Sequence, residues 1–157
     1  MYKRLVLSMI VPVAVAACGG HSASSATAAS QRSPIGVAAS PVVLTQRLSS
    51  EHGSSVAGTA TVTSSPTSFT IRLQVAGLQP ATTHPTDIHA GTCGSNGSVV
   101  YPLEVLTADH TGDAVATTVI HHAYKVPPGG WDVSVLQGPT MTGTGDTPIA
   151  CADLASR

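Results

Sequence analysis

The chain has 157 residues, 10% of them charged, with 7 Lys+Arg against 8 Asp+Glu for a formal charge of −1. That length allows one small domain with one core, and the absence of a basic patch or charge run argues against nucleic acid as a partner. No repeat at a fixed period, nucleophile elbow, phosphate loop, Cys-x-x-Cys or His-x-x-x-His spacing occurs, so a hydrolase or nucleotide-binding enzyme has no local signature here.

Lys3 and Arg4 open the chain, Leu5 to Ala17 is apolar apart from Ser8, and the run closes on Val15-Ala16-Ala17-Cys18. Basic start, short apolar core and small residues at the end are the layout of a secretory signal. The run is too short for a membrane span, which needs roughly 20 residues. The Val-Ala-Ala-Cys ending resembles a bacterial lipobox. That resemblance implies that residues 1–17 are removed and that Cys18 becomes the new N-terminus, with lipid on its sulfur and amine. An ordinary cleaved signal with an incidental cysteine shares the layout; position, flanks and residue type favour lipidation. A multi-acyl anchor holds a bilayer stably, each buried methylene contributing about 0.8 kcal/mol. The expected location is therefore the outer face of a bacterial cell membrane or outer membrane, with the lipid bilayer as a partner through Cys18.

Gly19 to Ser40 is mostly Gly, Ser, Ala, Thr and Gln, with His21 and Arg32, and has no apolar period. Residues 18–40 read as the lipidated N-terminus and a flexible linker. Loss of Lys3 and Arg4 with the signal leaves 5 basic against 8 acidic residues, a charge near −3.

Residues 41–157 read as one β-domain. Val42 to Leu48 is the first candidate strand and Ser55 to Thr63 the second. Ser68 to Val75 alternates cleanly, with Phe69, Ile71, Leu73 and Val75 inward and Arg72 and Gln74 outward. Gly77-Leu78-Gln79-Pro80 punctuates the chain. Asp87 to Ala90 is a short strand, and Val99 to Leu106 another, interrupted by Pro102 and so an edge or bulge. Asp109 to Asp113 is turn chemistry ahead of a strand from Ala114 to His121. Trp131 to Gln137 and Ile149 to Ala152 complete the set. No stretch has a helical period. About eight short strands separated by turns predict an all-β Greek-key sandwich or barrel.

Several of these segments resemble landmarks of the copper-zinc superoxide dismutase fold and the related chordin-type (CHRD) domain. Gly77-Leu78-Gln79-Pro80 resembles the family's Gly-Leu-x-Pro turn, and Asp87-Ile88-His89-Ala90-Gly91-Thr92-Cys93 its His-Val-His strand and following half-cystine. Leu106-Thr107-Ala108-Asp109-His110-Thr111-Gly112 resembles its Thr-Ala-Asp-x-x-Gly hairpin, and Ile149-Ala150-Cys151-Ala152-Asp153-Leu154 its Leu-Ala-Cys-Gly-Val-Ile strand. Pro127-Pro128-Gly129-Gly130-Trp131 resembles the turn and aromatic before the penultimate strand of chordin-type domains. The match spans most of residues 41–155 and implies a superoxide-dismutase-like β-domain. It also implies a Cys93–Cys151 disulfide, which an exporting compartment favours independently. Closing roughly 60 residues stabilises by about 4 kcal/mol on the chain-entropy model.

The enzyme's metal ligands are missing. Asp87 stands at the first histidine of the His-x-His strand, leaving His89; Leu136 stands where the penultimate strand's ligand is expected. Gly94 to Ser98 replaces the zinc loop without His or Asp, and Thr147-Pro148 replaces the guiding arginine. A redox copper needs a preorganised nitrogen ligand set and an open position, so no catalytic residue and no cofactor is expected. Asp87 and His89, two apart on a strand, share a face. With His84 they are the candidate metal ligands, and Tyr101, His121 and His122 are further neighbours to consider. A carboxylate with imidazoles suits zinc or copper; a hydrogen-bonded Asp-His pair on a solvated face is the plainer account. The leading expectation is a non-catalytic lipoprotein module of the cell envelope with an unidentified envelope or extracellular ligand. The alternative is a degenerate copper- or zinc-binding or weakly dismutating protein using Asp87 and His89.

Overall fold

The computed structural model describes residues 40–95 and 97–154. The expected signal, Cys18 with its expected lipidation, and the expected linker up to residue 39 lie outside the described residues.

Period-2 alternation builds the first half of the fold. In β3 (Phe69–Ala76), Phe69, Ile71, Leu73 and Val75 are buried and Arg72 and Gln74 exposed, as their alternation predicts. β3 pairs antiparallel with β2 (Ala57–Ser64) on one side and β8 (Ala114–Ile120) on the other. β1 (Val42–Ser50) then changes partners along its length. Val42–Leu48 pair with β2, while Ser49 and Ser50 pair with Cys151 and Ala150 of β10 (Pro148–Leu154). That corner leads into the second half, where β10 pairs with β9 (Trp131–Leu136), β9 with β5 (Thr86–Ala90), and β5 with β6 (Val99–Pro102).

The result is one curled antiparallel sheet in the order β6-β5-β9-β10-β1-β2-β3-β8, a half-barrel that encloses the core. Beside β1, β2 and β3, the distant β10 stands in the Greek-key relation. No α-helix occurs among the described residues; one 3-10 turn, Gly143–Asp146, precedes β10.

The strand expected from Val99 to Leu106 divides at Pro102. A proline cannot donate to a ladder, and the chain leaves the large sheet there. Leu106–Thr107 (β7) pairs instead with Thr83–His84 (β4), a two-residue strand with no readable period.

Phe69 holds an aromatic cluster at one end of the core. Its ring lies 5.3 Å from Tyr124 and 5.8 Å from Tyr101, and Tyr101 meets Trp131 edge-on at 5.5 Å. Trp131 and Tyr124 are buried, so the tryptophan caps the core. All six residues of β9 are buried. Trp131, Val133 and Val135 belong to the core, so Asp132, Ser134 and Leu136 project from the opposite face.

Candidate functional site

The outer face of β5, β9 and β10 carries two polar rows set by strand register. Directly opposed residues of an antiparallel pair project to the same side. His89 opposes Asp132, which opposes Asp153; Asp87 opposes Ser134, which opposes Cys151. Ile88, between Asp87 and His89, faces the core with no exposed surface. The loop after β5 roofs these rows. Cys93 is bonded to Cys151 with Cα atoms 5.8 Å apart, and its backbone N–H donates to Asp153 Oδ1 at 2.7 Å. His89, Asp132, Ser134 and Asp146 line a cavity of about 130 Å³ under this roof, with Gly94, Gly97 and Pro148 completing it.

The Asp87–His89 pair is formed: His89 Nε2 donates to Asp87 Oδ1 at 2.5 Å. The expectation of a solvated face is corrected, because Asp87 has no exposed surface and its Oδ2 lacks a hydrogen-bond partner among the described residues. Burial holds its carboxyl above the ordinary value of 3.8; His89 opposes that shift, and the charges of Asp146 and Asp132 add to it. A buried carboxylate attracts a proton or a cation.

The other expected ligands lie elsewhere. His84 is buried, donates from Nδ1 to Leu136 O at 3.0 Å and has Nε2 2.7 Å from Thr82 Oγ1. His121 and His122 are exposed beyond the end of β8, and His122 lies against the Tyr101 ring. Leu136 shares the outer face but lies past the Asp87–His89 pair; register puts Ser134 and Asp132 opposite those two residues. Those two residues, with Asp146, were missed by the sequence reading. The signal was present in Trp131-Asp132-Val133-Ser134-Val135, whose polar positions alternate with core positions, but its use requires knowing that β9 neighbours β5.

Among the described residues, one set of three ligand-type atoms lies within 4.8 Å of one another: Cys93 Sγ, Cys151 Sγ and an Asp132 carboxylate oxygen. In the oxidised chain the disulfide occupies both sulfurs. Asp132 Oδ2 accepts from Ser134 Oγ at 2.9 Å and touches Cys151 Sγ at 3.3 Å.

A larger cleft of about 670 Å³ opens between the β1–β2 loop, the loop after β3 and the segment after β9. His52, Gln79, Thr83, Gln137 and Thr147 offer it polar groups, Val56, Leu78 and Ile149 apolar surface, and none of its lining residues is Asp, Glu, Lys or Arg. His52 and Ala81, both lining it, take left-handed backbone at φ 48° and 60°. Non-glycine residues are held so only where surrounding structure over-determines them.

A curled all-β half-barrel, stapled across its polar outer face and open in a neutral cleft, has the architecture of a disulfide-bonded β-sandwich module. The model of the CHRD domain family matches residues 40–144, well over half of the chain, and the chain belongs to that family. No curated protein matches it.

Proposed function

We infer that the chain is an exported bacterial lipoprotein, held on a bilayer by lipid on Cys18, that displays its CHRD domain as a non-catalytic binding or structural module of the cell envelope. The observation that supports a binding role is the uncharged cleft, whose size suits a small ligand or a short segment of a larger one. Its hydroxyl, amide and imidazole groups favour a neutral hydrogen-bonding partner over a phosphate or a metal ion. Dismutation is disfavoured because a redox copper needs several nitrogen ligands, and among the described residues His89 is joined by Asp87, Asp132 and Ser134 rather than by further imidazoles.

The anchor is tested by growing a bacterial host with a clickable fatty acid. The wild-type chain takes up the label and sediments with membranes, and Cys18→Ser is unlabelled and leaves the membrane fraction. An unlabelled, soluble wild-type chain overturns the anchor. Superoxide removal by the copper- and zinc-loaded chain, lost in His89→Ala, overturns the non-catalytic reading.

A further inference from the structure

We propose that reduction of the Cys93–Cys151 bond turns the underside of the roof into a zinc site, with Cys93 Sγ, Cys151 Sγ and an Asp132 carboxylate oxygen as ligands. Asp132, the ligand the site shares with the 130 Å³ cavity, puts a water of that cavity next to the fourth position. This inference is independent of the lipid anchor and of the cleft.

The three ligand atoms already converge within 4.8 Å. Tetrahedral zinc takes thiolates at about 2.3 Å, which requires the sulfurs to separate to roughly 3.8 Å. Such a movement lies within the reach of side-chain rotation, provided the backbones stay in place. Three restraints independent of the disulfide keep them there. Cys151 lies within β10, opposite Ser134 on one side and Ser49 on the other. Asp132 lies within β9. The Cys93 loop is held by the Cys93 N–H to Asp153 Oδ1, and its roots by Ala90 N–H to Ser98 O and Gly91 N–H to Gly130 O, each at 3.0 Å.

Charge favours a cation at this place. Asp132 is buried, and among the described residues it has no ion pair with a basic side chain. Asp87 and Asp153 share its face, and Asp146 lines the same cavity. A buried carboxylate with no basic partner is satisfied by direct coordination; the two thiolates balance the ion's double charge, so the site keeps the carboxylate's single negative charge. Ser134 Oγ donating to Asp132 Oδ2 orients the carboxylate as an outer-sphere partner does at metal sites. Two thiolates, one carboxylate and room for a water suit zinc. Magnesium and calcium take oxygen ligands, and copper(I) prefers sulfur alone.

The chemistry balances. A dithiol reductant supplies two electrons and two protons; the S–S bond breaks, two thiols form, and the reductant closes to its own disulfide. Zinc then displaces both thiol protons to solvent as two Zn–S bonds form.

The test titrates zinc into the purified full chain, oxidised or reduced without oxygen, against a chromophoric chelator, with bound metal counted by mass spectrometry. Cobalt(II) serves as the second probe. The expected result is one zinc per reduced chain and none per oxidised chain, with a thiolate-to-cobalt charge-transfer band and protection of both thiols from alkylation. Asp132→Asn, which keeps the side-chain shape, weakens binding by at least roughly 10- to 100-fold, and the double variant Cys93→Ser, Cys151→Ser binds none. Equal binding by the oxidised chain overturns the proposal. So does a reduced chain that keeps its β-sheet circular dichroism yet takes no zinc, or one that loses its fold on reduction.

Discussion

Asp87 has no accessible surface, and among the described residues only Oδ1 of its two carboxylate oxygens has a partner, the His89 ring. Burial raises its folded-state proton affinity against that partner, and Asp146 and Asp132 add repulsion. The unfolded chain releases the same proton more readily. The stability linked to this group is therefore full below the unfolded value of 3.8 and is lost as pH rises through the raised folded value. Asp87→Asn keeps an acceptor for the His89 N–H and removes the titration. The gap between wild-type and Asp87→Asn urea midpoints is expected to move in the variant's favour as pH rises from about 4 toward neutrality. Parallel midpoint curves would show that Asp87 carries no such linkage. Asp109 contrasts with it. In the turn before β8, the Thr111 hydroxyl and then the backbone N–H groups of Asp113 and Thr111 hold its exposed carboxyl down at about 2.

The roof loop depends on backbone contact as much as on the disulfide. A Cβ at Gly97 would sit 1.6 Å from Ala90 O, a backbone atom of β5 that cannot yield without moving the strand. Gly97→Ala is expected to lift the loop, break the Ala90 N–H to Ser98 O bond and cost roughly 1–3 kcal/mol. It should also speed reduction of the Cys93–Cys151 bond by dithiothreitol, followed by thiol labelling. Gly129→Ala, with open space around its Cβ position, is the control and should reduce at the wild-type rate. The elements differ in how far they were legible. β3 was readable because alternation over eight residues is a local property of the chain. β4, with two residues, has no period to read, and β7 was merged with β6 because the break at Pro102 changes sheets rather than pattern. Asp87 and His89 were visible as a same-face pair for the same local reason. Asp132, Ser134 and Cys151 joined them only through the β5–β9–β10 register, which is set by pairing between residues far apart in sequence.

Across the whole molecule, the disulfide joins the final strand of the half-barrel to the loop after β5, at a sequence separation of 58. On the chain-entropy model a closure of that length stabilises by about 4 kcal/mol, against the 5–15 kcal/mol typical of a folded domain. The double variant Cys93→Ser, Cys151→Ser should therefore remain folded, with thermal unfolding lowered on the order of 15 °C. The core explains why it stands at all: Phe69, Ile71, Leu73, Val133 and Val135 pack inside the curled sheet, on the side away from the staple. Zinc separates the two consequences of opening that bond. A ligand bound only by the folded state adds about 2.7 kcal/mol at a hundredfold excess over its dissociation constant. Zinc should thus restore much of the lost midpoint to the reduced wild-type chain, while leaving the serine variant and the oxidised chain unchanged. Calorimetric scans of the three forms with and without zinc decide it. Equal shifts in all three would place the ion somewhere other than between the two sulfurs and Asp132.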